Sequence, residues 1–317
     1  MKEARVIFAG TPEFARASLS ALVDAGVTPV LVLTQPDRPS GRGKRMTASP
    51  VKRYAEDHQI PVVQPTTLRD EKVAAELNAY NPDIMIVAAY GLILPQTVLD
   101  IPARGCLNVH ASLLPRWRGA APIQAAILAG DKTTGISLMS MTAGLDCGPV
   151  YRAEALTIND DEAAGSLHDR LAKLGGDLLV ANLQDVLENR ITPVPQDEAP
   201  ACYAAKIKKQ DAELDWSRSA LELQRQVQAY NPVPGAFFFI SPDDDREATL
   251  RIKCWRSKHV TGGDAKPGTV LASGPDGVVV ACGSDALCLL ELQLPGKRRI
   301  AARQFSEQLD LVGRVLP

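Results

Sequence analysis

The stretch Arg5–Gly26, RVIFAGTPEFARASLSALVDAG, decides the fold. It opens on a short, unbroken apolar run that stops at Gly10, which suits a strand buried on both faces. The turn at Thr11–Pro12 then leads into a helical segment, with Thr11 expected as its cap, Pro12 in its first turn and Gly26 at its end. A strand, a tight turn and a helix at the start of a chain are the first unit of an alternating α/β fold.

Working outward, the alternation continues. VTPVLVLTQ (Val27–Gln35) reads as a second strand, LRDEKVAAELNAY as a helix, and DIMIVAAYG (Asp83–Gly91) as a third buried strand. GCLNVHAS gives a fourth strand, AAPIQAAILAG a helix, and TGISLMSMT (Thr134–Thr142) a further strand. The expected fold class is α/β, with an N-terminal doubly wound, mostly parallel sheet of Rossmann-like form. The crevice beyond the carboxyl ends of such strands is where ligands bind. Gly10, His110 and the loop after Thr142 are all expected on that side.

A long helix from Glu162 closes this domain, expected over residues 1–189. ITPVPQDEAPACYAAK, with three prolines and no clear periodicity, reads as a linker over 190–206. In 207–317 a helix (SALELQRQVQAYN) precedes GAFFFI, ATLRIKCW, GTVLAS, GVVVACG and ALCLLELQ, short strands separated by Gly, Pro and Asp. That pattern suggests a small C-terminal β-barrel, an OB-like shape being one option.

Composition narrows the function classes. The chain has 317 residues, 45% apolar and 23% charged, with a net charge of -2, so no global field recruits a polyanion and any such partner must meet a local patch. No apolar run approaches the roughly 20 residues that span a bilayer. The N-terminus lacks the features of a secretory signal. Six scattered cysteines without a CxxC pair argue against a disulfide framework and against zinc. The expectation is a cytoplasmic, reduced protein without a metal. GTPEFA is not GxGxxG and no Walker A lysine motif occurs, which disfavours dinucleotide and ATP sites.

Asn108 and His110 stand two apart on an expected strand, so both leave the same face. They read either as a packed core histidine beside a structural amide, or as a proton carrier beside an oxyanion donor. Asp146 lies between Gly144 and Gly148 in a loop after a strand; it serves a turn, or it orients a histidine. Ser112, Leu113, Leu114 and Pro115 present two leucines beside His110, and read either as an apolar wall for a flat ligand or as a loop packed onto the sheet. The run Arg38–Arg53 carries six basic residues and no acidic one, broken by Gly and Pro; it is expected as a long flexible loop, which either meets phosphates or is merely solvated. GKRRIAAR (Gly296–Arg303), with Arg251, Lys253, Arg256 and Lys258, adds a second basic cluster.

NVHASLLPRWRGAAPIQ together with GLDCGPVY resembles the folate-dependent formyltransferases that use 10-formyltetrahydrofolate. FAGTPEFA, TQPDRPSGRGKR, SPVK, VAAYGLILP and NPVPGAF extend the likeness from about residue 5 to the C-terminus and are similar to the branch acting on initiator methionyl-tRNA. One departure is Ala111, where many members have Gly. The resemblance implies catalytic roles for Asn108, His110 and Asp146. It implies folate contacts at Ser112, Leu113, Leu114 and Pro115, with Val87, Ala88, Tyr90 and Gly91 near the pterin. It also implies contacts from Arg38, Arg42, Lys44 and Arg45 to the tRNA acceptor end, and a C-terminal OB-like tRNA-binding domain. A monomer is expected. The alternatives are a formyltransferase of sugar-nucleotide amines, the hydrolase domain of a formyltetrahydrofolate dehydrogenase, and a non-enzymatic RNA-binding protein.

Overall fold

The structure is a computed structural model, and it describes residues 4–40, 43, 45–241, 250–309 and 311–317. The chain divides into two compact units. The first gathers Met1–Pro122, Thr133–Thr157 and His168–Ala205; the second gathers Ile123–Lys132, Ile158–Leu167 and Lys206–Pro317.

In the first unit the expected opening is observed as β1 (Val6–Gly10) and α1 (Glu13–Asp24). Every residue of β1 is buried, as an inner strand of a parallel sheet requires. Gly10 is needed where strand turns into helix, because a Cβ there would stand 2.5 Å from Ala15 Cβ and 2.9 Å from the Ala88 carbonyl oxygen. Thr11 is not the helix cap; Pro12 occupies that position with no side-chain bond. The Thr11 hydroxyl instead donates to the Tyr90 carbonyl and accepts the Gln35 N–H, tying together three strand ends.

The chain continues through β2 (Leu31–Leu33), α2 (Pro50–Asp57), β3 (Val62–Val63), α3 (Glu71–Ala79), β4 (Ile84–Ala88) and β5 (Cys106–His110). β6 (Thr133–Ser140) and β7 (Val150–Thr157) complete a seven-stranded sheet in the order β7-β6-β5-β4-β1-β2-β3. Five strands run parallel, while β6 and β7 are antiparallel additions at one side. The order reverses between β1 and β4, so the switch point lies beside Gly10 and Ala88, which are paired in register.

The described residues of the basic run are mostly in regular structure, not in a loop. Arg38–Ser40 and Arg45–Thr47 pair as a short antiparallel hairpin, and α2 begins at Pro50. Ser49 accepts the Lys52 N–H and Pro50 sits in the first turn, the standard chemistry of a helix start. Lys52 and Arg53 are therefore helical, and Arg42 and Lys44 lie outside the described residues.

The long helix α4 (Ala164–Leu187) enters the first unit from His168 onward. Its paired glycines let it seat closely. A Cβ at Gly175 would stand 2.9 Å from Val109 Cγ1, and one at Gly176 would stand 2.9 Å from Ala21 Cβ.

The second unit holds α5 (Ala220–Ala229), β8 (Phe237–Ile240), β9 (Leu250–Val260), β10 (Val270–Gly274), β11 (Gly277–Ala281) and β12 (Ala286–Gln293). The five strands are antiparallel in the order β8-β9-β12-β11-β10 and form a half-barrel around Trp216, Phe238, Ile252, Leu287, Leu289 and Phe305. α5 starts on a capping box in which Ser219 and Glu222 satisfy each other's backbone N–H groups.

Gly175→Val forces a branched side chain into the contact with Val109. It is expected to cost about 1–3 kcal/mol, read as a lower urea midpoint with unchanged slope. A wild-type midpoint would show that this helix is not seated on β5.

Candidate active site

Asn108 and His110 alternate with buried Leu107 and Val109 on β5, so both side chains leave one face of the sheet. Asn108 lies opposite Val87 of β4 and Met139 of β6; His110 lies opposite Ser137. Both are nearly buried, at 7% and 6% exposure, but neither is sealed.

Asp146 reaches this face by a route that strand order alone does not supply. β6 runs antiparallel, so its carboxyl end at Ser140 lies beside Leu107, at the start of β5. The expectation that the following loop leaves on the same side as His110 is therefore corrected. The loop doubles back instead. Gly148 packs against Ser140, where any Cβ would collide with the carbonyl oxygen, and Asp146 adopts φ +49. Its carboxylate then meets the strand residues. One oxygen lies 3.5 Å from Asn108 Nδ2; the other lies 3.7 Å from His110 Nδ1 and accepts the Gly119 N–H at 2.8 Å.

The far side of His110 is also occupied. Nε2 lies 3.0 Å from the Trp117 carbonyl oxygen, so each ring nitrogen faces an oxygen acceptor. Trp117 holds φ +61 to present that carbonyl. Ser112 is fully buried; its hydroxyl donates to the Arg116 carbonyl, closing the turn over Leu113, Leu114 and Pro115. Ser137 braces the same turn, donating to the Ser112 carbonyl and accepting the Leu114 N–H. Leu113, Leu114 and Pro115 stay half-buried.

Val87, Ala88 and Tyr90 are buried at the end of β4, and Gly91 follows at φ +81. Among the described residues the Tyr90 hydroxyl has no hydrogen-bond partner, and burial raises its pKa. Arg38 and Arg45 are exposed, whereas Lys52 is tied to Asp37 at 2.8 Å. That bond, with a second from Gln64, holds the Asp37 carboxyl below its usual range. In the second unit Arg299 lies 3.6 Å from the Trp255 ring centre and Lys253 5.0 Å from it. Burial, with Arg251 and Arg299 nearby, lowers the Lys253 pKa.

Sequence reasoning did not single out the strap formed by residues 190–205. Val194 pairs with Val150, Tyr203 and Ala204 pair with Arg118 and Gly119, and Cys202 Sγ accepts the Trp117 N–H. Arg118 is 1% exposed, and its five N–H groups are matched by five contacts. Two go to Gln196 Oε1, two to the Glu198 carboxylate and one to the Tyr203 hydroxyl. Arg118 in turn holds the Glu198 carboxyl below its ordinary value. Among the described residues, no His, Cys, Asp and Glu group could hold a metal, and no helix is long and apolar enough to cross a membrane.

The fold is doubly wound α/β, and Asn108, His110 and Asp146 converge on one face of its sheet. The chain belongs to the formyl transferase family: residues 3–183 match the formyl transferase model and residues 206–309 that of the formyl transferase C-terminal domain. It is similar to the methionyl-tRNA formyltransferase of Thiobacillus denitrificans, 52% identical over 314 residues, covering 98% of this chain and 97% of that one. It is also similar to the methionyl-tRNA formyltransferase of Nitrosomonas eutropha, 48% identical over 302 residues, covering 95% and 93%. Among solved structures, HypX from Aquifex aeolicus in complex with tetrahydrofolic acid matches with a TM-score of 0.62 and 17% identity, over 97% of this chain and 47% of that chain. At that identity the likeness speaks for the fold alone.

Because the Glu198 carboxyl is depressed in the folded state, its pairing with Arg118 stabilises the fold above the unfolded carboxyl pKa of about 4.3. That stabilisation fades as pH falls through the folded value. Glu198→Gln is therefore expected to lower the melting temperature at neutral pH, with the gap to wild type closing on acidification below about pH 4. A gap independent of pH would mean the ion pair contributes nothing.

Proposed function

We propose that this chain transfers the formyl group of 10-formyltetrahydrofolate to the α-amino group of methionyl-initiator tRNA. The observation that carries the reading is the convergence of Asn108, His110 and Asp146 from separate segments in a chain about half identical, nearly end to end, to methionyl-tRNA formyltransferases. That full-length likeness favours a tRNA acceptor over a sugar-nucleotide amine or a non-catalytic RNA-binding role.

In this reading the neutral α-amine attacks the formyl carbon on N10, placing negative charge on the former carbonyl oxygen. The C–N10 bond then breaks, and the proton lost by the amine ends on N10. The products are formyl-methionyl-tRNA and tetrahydrofolate. Asn108 has N–H donors for the oxyanion, its contact to Asp146 being long at 3.5 Å. Such a donor supplies about 10²–10³ in rate. His110 donates from Nε2, and to do so it must exchange the Trp117 carbonyl for the substrate oxygen. It also relays the proton between amine and leaving nitrogen. Asp146 faces Nδ1, holding the ring's orientation and stabilising its charged form. An α-amino group titrates near 7.7–8.0 before an ester lowers it, so no strong base is required.

Ser112, Leu113, Leu114 and Pro115 line the folate beside His110, with Val87, Ala88, Tyr90 and Gly91 around its pterin. The register that puts Val87 beside Asn108 supports this assignment. Arg38, Arg42, Lys44 and Arg45 contact the acceptor end, and the second unit binds the tRNA through its basic residues. The enzyme acts as a cytoplasmic monomer without a metal.

The test uses purified protein, 10-formyltetrahydrofolate, and charged initiator and elongator tRNA. His110→Ala is expected to lower kcat by about 10²–10⁴ while folding is retained. A near-normal rate in the folded variant removes His110 from the chemistry. Arg42→Ala is expected to raise KM for tRNA and flatten its salt dependence, leaving the KM for folate unchanged. A change in the folate KM instead overturns the assignment of that segment.

A further inference from the structure

We infer that Gln196 is a positioning residue for the Asp146–His110 pair, acting from the strap that lies between the two family-matched regions. It rests on the proposed formyl transfer only for its kinetic consequence. The two family models match residues 3–183 and 206–309, so Gln196, Glu198 and Cys202 fall in neither match. Yet this segment supplies the contacts that fix the shape of the Asp146 loop.

The Gln196 amide group is saturated. Its Nε2 donates to the carbonyl oxygens of Asp146 at 2.9 Å and Gly148 at 2.7 Å. Its Oε1 accepts from Arg118 Nε at 3.0 Å and Nη2 at 2.9 Å. Two donated and two accepted bonds are the full capacity of a carboxamide. The two carbonyls flank Cys147, so one NH2 group clamps the turn whose carboxylate meets Asn108 and His110. Asp146 is held at φ +49, a conformation that persists where its surroundings over-determine it.

Arg118 completes the clamp from the other side. Its guanidinium is buried and immobilised by Glu198 and Tyr203, which makes it a rigid anchor for Gln196. The next residue, Gly119, donates its backbone N–H to the Asp146 carboxylate. The residue before, Trp117, offers its carbonyl to His110 Nε2. Residues 117–119 thus address both members of the pair, and Gln196 links that tripeptide to the Asp146 main chain. No carboxylate can replace it: glutamate accepts from Arg118 but meets two carbonyl oxygens with no proton to offer.

Gln196→Glu separates these two duties in the full-length protein. Loss of an orienting partner of a catalytic group commonly costs about 10–100-fold, and a fall of that size in kcat is expected, with both KM values within about threefold of wild type. The His110 imidazole signals, assigned with His110→Ala in 13C-labelled protein, are expected to shift. In an Asp146→Asn background, adding Gln196→Glu is expected to cost little more, because both changes act through one group. Gln196→Asn, neutral but too short to span Arg118 and both carbonyls, serves as the second variant and is expected to behave in the same way.

Wild-type kcat in a folded Gln196 variant, or fully multiplicative losses in the double variant, overturns the proposal. So does loss of folding in both single variants, which makes the role purely structural. If wild type transfers no formyl group, the functional reading fails by itself, and the imidazole shifts still decide whether Gln196 sets the His110–Asp146 contact.

Discussion

The Asp146 carboxylate accepts a main-chain N–H from Gly119 on one oxygen and faces Asn108 with the other, while His110 lies beside the first. A carboxylate so surrounded is taken partly out of water, and it is tolerable because donors meet it from several directions. The constraint propagates outward. For Gly119 to reach Asp146, its backbone must sit at φ +112 against Ala204, with no room for a side chain. For the His110 ring to keep its place, Trp117 must present its carbonyl at a positive φ. The strained backbone positions around the centre are thus consequences of one polar requirement.

The parts legible in the sequence were those whose burial is uniform. β1 and β4 bury all their residues, so each appears as an unbroken apolar run bounded by turn residues. The Asn108–His110 pair was legible because two polar side chains at a spacing of two must share a strand face. β7 was not recognised, since its middle residues Arg152–Ala155 are exposed and leave no apolar signature. The hairpin of Arg38–Ser40 with Arg45–Thr47 was hidden in a basic, glycine-broken run, and the Ser49–Pro50 helix start went unweighed behind it.

Direction and long-range partnership were the least legible. Nothing local distinguishes a parallel from an antiparallel β6, and the direction decides where the next loop emerges. Gln196 lies 50 residues from Asp146 and 78 from Arg118, in a proline-rich segment with no periodicity. Its bonds depend on tertiary approach alone. The composition of residues 190–206 resembles that of a spacer, while Gln196, Glu198, Cys202 and the Tyr203–Ala204 backbone bond to other residues of the first unit.

The first family match stops at residue 183, which marks an obvious point at which to exchange a C-terminal module. A crossover there would discard Val194, Gln196, Glu198, Cys202 and Ala204, and strand Arg118 as a buried cation with its acceptors gone. Only junctions beyond Ala205 spare them. A C-terminal module exchanged without loss of these contacts must therefore be joined beyond Ala205, which leaves the sixteen residues 190–205 with the first unit.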